Sequence, residues 1–196
     1  MLEHISKGKD VTYKSHSTQI NLSDCSEDGF NIFYLLQQEI PDEKIYREHN
    51  QISDPLAGSS DHPKEQYGYE SIPHITLLYG IENAEDYFIL RKALKNFGPI
   101  EFEIGEVSSF RRDETPYDVL ITKIISKPLE EIHKAIKENL DNNYKFSKYQ
   151  PHMTLAYVKK GECKDLEGRN FWTGTKYVCS RIQFSHIDKF FLEIPL

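Results

Sequence analysis

Hydrophobic and polar positions change period several times along the chain, and each change predicts an element. Ser17-Thr18-Gln19-Ile20-Asn21-Leu22 alternates toward its end and predicts a strand. Over residues 27–40, Phe30, Phe33, Leu36 and Ile40 recur at helical spacing, with Ser26 or Asp24 placed to cap the helix. Residues 41–71 show little periodicity and are rich in Pro, Gly, Ser, Asp and His, which predicts a lid, a binding segment or a surface insertion. The pattern then sharpens. Residues 72–80 predict a strand ended by Gly80, and 83–97 a helix with Tyr87, Leu90, Leu94 and Phe97 on one face. Strands over 99–110 and 117–125 flank a charged turn, and a helix over 128–141 carries Leu129, Ile132, Ile136 and Leu140 on one stripe. Further strands are expected at 151–158, around 173–185 and at 187–194. Hairpin-connected strands mixed with crossing helices predict an α+β fold with a largely antiparallel sheet. No linker divides the chain, so one domain over residues 1–196, in two lobes, is expected.

Composition narrows the function. The 196 residues carry 24 Lys plus Arg against 31 Asp plus Glu, a net charge of −7, with 38% hydrophobic and 12% aromatic residues. That is a folded chain with enough apolar surface for a core. Tight binding of long nucleic acid rests on neutralising phosphates, and an acidic chain starts that task badly. Lys145, Lys148, Lys159, Lys160 and Lys164 gather in the C-terminal half but are interleaved with acids, so a small phosphorylated ligand or short oligonucleotide is the expected partner. No apolar run is long enough for a membrane span, and the start, Met1-Leu2-Glu3-His4, has no signal-peptide pattern. Three cysteines (Cys25, Cys163, Cys179) have no metal-ligand spacing. Neither a cofactor nor a metal is expected, and the cytoplasm is the expected location.

The most informative feature is an internal repeat. Pro73-His74-Ile75-Thr76-Leu77-Leu78-Tyr79 matches Pro151-His152-Met153-Thr154-Leu155-Ala156-Tyr157 at Pro, His, Thr, Leu and Tyr. The short pattern His-x-Ser/Thr means little alone, since His4-Ile5-Ser6 and His16-Ser17-Thr18 also satisfy it. The extended match carries the weight, because both segments read independently as strands. Strict alternation places His74, Thr76 and Leu78 on one face, with Ile75, Leu77 and Tyr79 on the other. The same split sets His152, Thr154 and Ala156 against Met153, Leu155 and Tyr157. If a pseudo-twofold relates the halves, both His-Thr pairs line one cleft.

Two imidazoles and two hydroxyls suit phosphodiester chemistry. One neutral imidazole takes a proton from the attacking oxygen, and the other, protonated, gives one to the leaving oxygen. The threonines donate hydrogen bonds to non-bridging oxygens as charge develops on phosphorus.

The two Pro-His-x-Thr-Leu strands resemble the 2H phosphoesterase superfamily, whose members carry two His-x-Thr/Ser motifs. The resemblance implies a bilobal α+β fold, with two antiparallel sheets related by a pseudo-twofold and helices packed outside. It also implies a metal-independent site for phosphodiesters of nucleotides, with catalytic roles on His74, Thr76, His152 and Thr154. Ser17-Thr18-Gln19 opening a strand, Ile40-Pro41-Asp42 after the first helix, and His-Ile-Thr-Leu-Leu-Tyr-Gly over 74–80 together resemble the phage anti-CBASS nucleases. That likeness implies hydrolysis of cyclic di- or trinucleotide messengers in the host cytoplasm. An RNA 2′,3′-cyclic or 2′,5′-phosphodiesterase is the alternative within the superfamily. A non-catalytic nucleotide sponge is the alternative from another class.

Other residues divide between two readings. Trp172 and Tyr13 are candidates for stacking on a nucleobase, against core packing as the simpler role for each. Arg111-Arg112 reads as a phosphate holder or a solvated turn, with the turn favoured. His16-Ser17-Thr18 lacks the flanking Pro and Leu-x-Tyr and is expected to be a decoy. His133 and His186 are expected at the surface or in packing, and the aromatics of Lys189-Phe190-Phe191-Leu192 in the core.

Overall fold

The structure is a computed structural model that describes residues 16–25, 29–47, 68–70, 72–83, 85–170, 172–185 and 191–196. Among these residues, eight strands and three α-helices follow in the order β1 (His16–Asn21), α1 (Gly29–Gln38), β2 (His74–Ile81), α2 (Asp86–Ala93), β3 (Ile100–Phe110), β4 (Tyr117–Ile125), α3 (Lys127–Asn139), β5 (His152–Lys159), β6 (Lys176–Cys179), β7 (Arg181–Ser185) and β8 (Phe191–Pro195). All eight strands join one sheet in the order β6-β3-β4-β5-β2-β1-β7-β8, antiparallel at every step. The α+β class is as expected. The two expected sheets are its four-stranded halves, β6-β3-β4-β5 and β2-β1-β7-β8, and a single bridge pair, Ile75 opposite Met153, joins them. The region expected as one strand around 173–185 is split at Ser180: β6 pairs with β3 in one half and β7 with β1 in the other. One continuous chain therefore ties the two ends of the sheet together, and the sheet must curl.

Local sequence explains the helices. α3 starts where Ser126, in extended backbone, accepts a hydrogen bond from Leu129 N and Pro128 occupies the first turn. It buries Leu129, Ile132, His133 and Ile136, each aliphatic side chain contributing roughly 1.5–3 kcal/mol of transfer free energy. The three helices share one core with Ile20, Ile75, Leu77, Leu78, Met153, Leu155 and Ala156 of the sheet. The packing crosses the seam: α1 lies on β5, and α3 on β2 and β3. Phe191 departs from expectation, being 46% exposed on the edge strand β8. Ser26 lies outside the described residues. Of the 41–71 segment, Ile45 and Tyr69 bridge to Val158 and Ala156 of β5, while 48–67 are outside the described residues.

Gly80, near the end of β2, has φ +81°, and an added Cβ would meet Asn143 Oδ1 at 2.2 Å. Gly80→Ala is therefore expected to destabilise by about 1–3 kcal/mol, read as a lower urea midpoint at unchanged m-value.

Candidate active site

The seam builds the site. Ile75 and Met153 are equivalent positions of the repeat, and they pair directly with each other, so a local twofold runs between them. One residue to either side, the same antiparallel register sets His74 across from Thr154 and Thr76 across from His152. Ile75 and Met153 are 1% and 0% exposed, in the core, while the His and Thr of each strand are half-buried on the opposite, open face. Diagonal neighbours on one face of such a pair lie about 7–8 Å apart, the scale on which two imidazoles reach one phosphoryl group. The charge of His74 reaches His152. All four sequence-predicted residues are thus brought together.

Both histidines are held in the same way. His74 Nδ1 lies 2.8 Å from Ile72 O, and His152 Nδ1 lies 2.7 Å from Gln150 O. A carbonyl oxygen only accepts, so Nδ1 carries the proton in each neutral ring and Nε2 is the nitrogen offered to a ligand. Burial pushes the His152 pKa below its ordinary value, the bond to Gln150 O opposes that shift, and the His74 charge adds to it. Phe110 contributes to that burial, its ring edge-on to His152 with centroids 4.7 Å apart.

The open face also holds residues that strict alternation missed. Across from β2, Thr18 pairs with Leu78 and Gln19 with Thr76, so Leu77 is an extra, bulged residue. Across from β5, Leu120 pairs with Ala156 and Ile121 with Thr154, so Leu155 is bulged at the equivalent position. Each bulge shifts the phase by one. Leu78 and Ala156, expected beside the histidines, are buried in the core. Tyr79 and Tyr157, expected on the opposite face, come half-buried onto the histidine face. Tyr79 joins Tyr144 at 5.4 Å and Phe146 at 6.1 Å, with the Arg112 guanidinium 5.7 Å from the Phe146 ring centre. Tyr157 joins Tyr117 at 5.3 Å, and Tyr117 joins Tyr46 at 5.4 Å. One aromatic cluster therefore belongs to each half. The recurrence of Tyr in the repeat was the available signal.

The flanks differ in charge. Beside β2, Asn21 pairs with His74 and Gln19 with Thr76, and an amide chain runs Gln19 to Asn21 to Gln183 to Asp24 through three 2.8 Å hydrogen bonds. Beside β5, Lys123 pairs with His152 and its ammonium lies 2.6 Å from Glu106.

The remaining candidates fall elsewhere. Trp172 is half-buried and packs against the core. Tyr13 and His186 lie outside the described residues. Arg111 is paired with Glu167 at 2.7 Å. His16 is 5% exposed and stacks on Phe184, and Thr18 Oγ1 accepts from Leu78 N within the ladder. His133 is buried. No helix among the described residues is long and apolar enough to cross a membrane.

Solved structures of other proteins share this fold. The fold is similar to that of Kluyveromyces marxianus Usb1, at TM-score 0.60 and 9% identity over 95% of this chain and 100% of that one. The same protein with uridine monophosphate matches at TM-score 0.59, 9% identity and the same coverage. TT0787 of Thermus thermophilus matches at TM-score 0.55 and 15% identity, over 88% of this chain and 87% of that one. No curated protein matches the sequence. The model of the 2′-5′ RNA ligase superfamily matches residues 41–184, a span that holds both His-Thr strands, and the chain belongs to that superfamily of 2H phosphoesterases.

Proposed function

We propose that the protein is a phosphodiesterase that hydrolyses small cyclic oligonucleotides, with His74, Thr76, His152 and Thr154 as its catalytic residues. The observation that carries this reading is the twofold about Ile75 and Met153, which puts two equivalent His-Thr pairs on one open face. His152 is the base. Its neutral Nε2 takes the proton of the attacking oxygen, from water or a ribose hydroxyl, as the new P–O bond forms. His74 is the acid: its protonated Nε2 gives a proton to the leaving oxygen as the old P–O bond breaks. Thr76 and Thr154 donate to the non-bridging oxygens. Tyr79 and Tyr157 offer one aromatic surface on each side of the phosphate, which suits a ligand with a base on each side.

The sequence likeness to anti-CBASS nucleases and the net charge of −7 support a small cyclic substrate in a host cytoplasm over a long polymer. The match to the 2′-5′ RNA ligase superfamily favours a second reading, cleavage of 2′,5′- or 2′,3′-cyclic phosphates of RNA. Purified protein incubated in excess EDTA with cyclic dinucleotides, cyclic trinucleotides, 2′,5′-oligoadenylate and 2′,3′-cyclic-ended RNA separates the two. Turnover of the cyclic oligonucleotides, undiminished by EDTA, is expected, since imidazoles and hydroxyls supply the chemistry. Turnover confined to the RNA substrates supports the second reading, and tight binding without products identifies a sponge.

The acid limb of the pH profile adds a check. A base with a lowered pKa stays unprotonated further into acid, so kcat/KM is expected to hold below pH 6.5 before falling. A limb above that value contradicts His152 as the base.

A further inference from the structure

We infer that Gln37 and His133 are positioning residues that cross the seam, each holding the bulge that turns the other half's motif tyrosine onto the open face. A bulged residue drops out of the ladder, and its buried carbonyl must find another donor. For Leu77 that donor is His133 Nδ1 at 2.7 Å, from α3, the helix that precedes β5. Leu155 O accepts from two donors, Gln37 Nε2 at 2.8 Å, from α1, the helix that precedes β2, and Glu70 N at 3.0 Å. The two braces are equivalent under the twofold that relates the repeats, though one is an imidazole and the other an amide. Both side chains are 7% exposed.

Each brace is fastened at a second point, to the segment leading into a motif strand. The His133 ring lies flat on Tyr149, with centroids 4.1 Å apart and 3° between planes, and Tyr149 OH donates to Thr76 O at 3.0 Å. Gln37 Nε2 also donates to Glu70 O at 2.7 Å, and Glu70 N donates to Leu155 O at 3.0 Å. His74, Thr76, His152 and Thr154 precede the bulges and are anchored by the Ile75–Met153 bridge. Tyr79 and Tyr157 follow the bulges. A lost brace therefore moves a tyrosine and leaves the imidazoles in place. The kinetic consequence rests on the phosphodiesterase reading: substrate binding weakens on one side while the chemical step persists.

The test places 3-fluorotyrosine at position 79 or 157 of the full chain and reads its 19F resonance, alongside steady-state kinetics on cyclic di-AMP. His133→Leu is expected to shift the resonance at 79 and spare that at 157, and Gln37→Leu to do the reverse. His133→Gln supplies the amide donor that the other half uses and is expected to restore the signal at 79. Gln37→Leu is the arm that tolerates the change best, since Leu155 O keeps its bond from Glu70 N. In both leucine variants KM is expected to rise about fivefold or more, with kcat within about twofold. Resonances that stay put, or move together in either variant, overturn the inference, as does a fall in kcat at constant KM. A wild-type protein that turns over neither cyclic di-AMP nor the other cyclic oligonucleotides and RNA substrates named above defeats the phosphodiesterase reading alone, because the fluorine readout does not depend on it.

Discussion

His74→Ala and His152→Ala are each expected to lower turnover by about 10² or more, the range for removing a positioned acid or base. Both variants should keep their fold. Each imidazole is half-buried on the open face, and its described backbone bond runs to the carbonyl two residues earlier, in the segment just before its strand. Truncation therefore opens no cavity in the core. His16→Ala is the control. That ring is buried on Phe184, so the substitution should lower the urea midpoint while the folded variant turns over at nearly the wild-type rate. Equal kinetic damage at His16 contradicts the choice of motif pair.

The second large effect concerns the seam. Ile75→Ala and Met153→Ala are each expected to destabilise by about 2–5 kcal/mol, the range for truncating a buried aliphatic side chain that leaves a cavity. These two residues are buried at 1% and 0% exposure, and their backbones form the one bridge pair recorded between β2 and β5. The loss should appear as a lower urea midpoint at near-constant m-value. A change below about 1 kcal/mol in both, well short of the cavity range, contradicts the claim that this pair fixes the halves in register.

How far the sequence reveals the fold depends on whether a feature is local. β3, β4 and α3 appear within two residues of their expected bounds, because each carries its own period and its own turn or cap signal. The β6–β7 split at Ser180 is invisible to periodicity, since the chain stays extended and only its partner strand changes. The His-Thr pairs were legible because the repeat places the same residues at the same strand positions, so symmetry did the work of a contact map. Tyr79 and Tyr157 were misassigned for a related reason. Alternation holds only while the ladder is regular, and the bulges at Leu77 and Leu155 depend on carbonyl partners 56 and 118 residues away in sequence. Gln37 and His133 carry no sequence pattern at all, because two residue types perform one role. Trp172 is partly buried and packs against the core.

The central claim is that two imidazoles from the two halves present Nε2 to one phosphate. Long-range 15N–1H spectra of 15N-histidine-labelled protein, recorded during titration with uridine monophosphate, test it most directly. In neutral rings Nδ1 should carry the proton at both His74 and His152, and the two Nε2 resonances should shift together and saturate at one nucleotide per chain. Protonated Nε2 in either neutral ring, or two Nε2 resonances that respond to different nucleotides independently, contradicts the account.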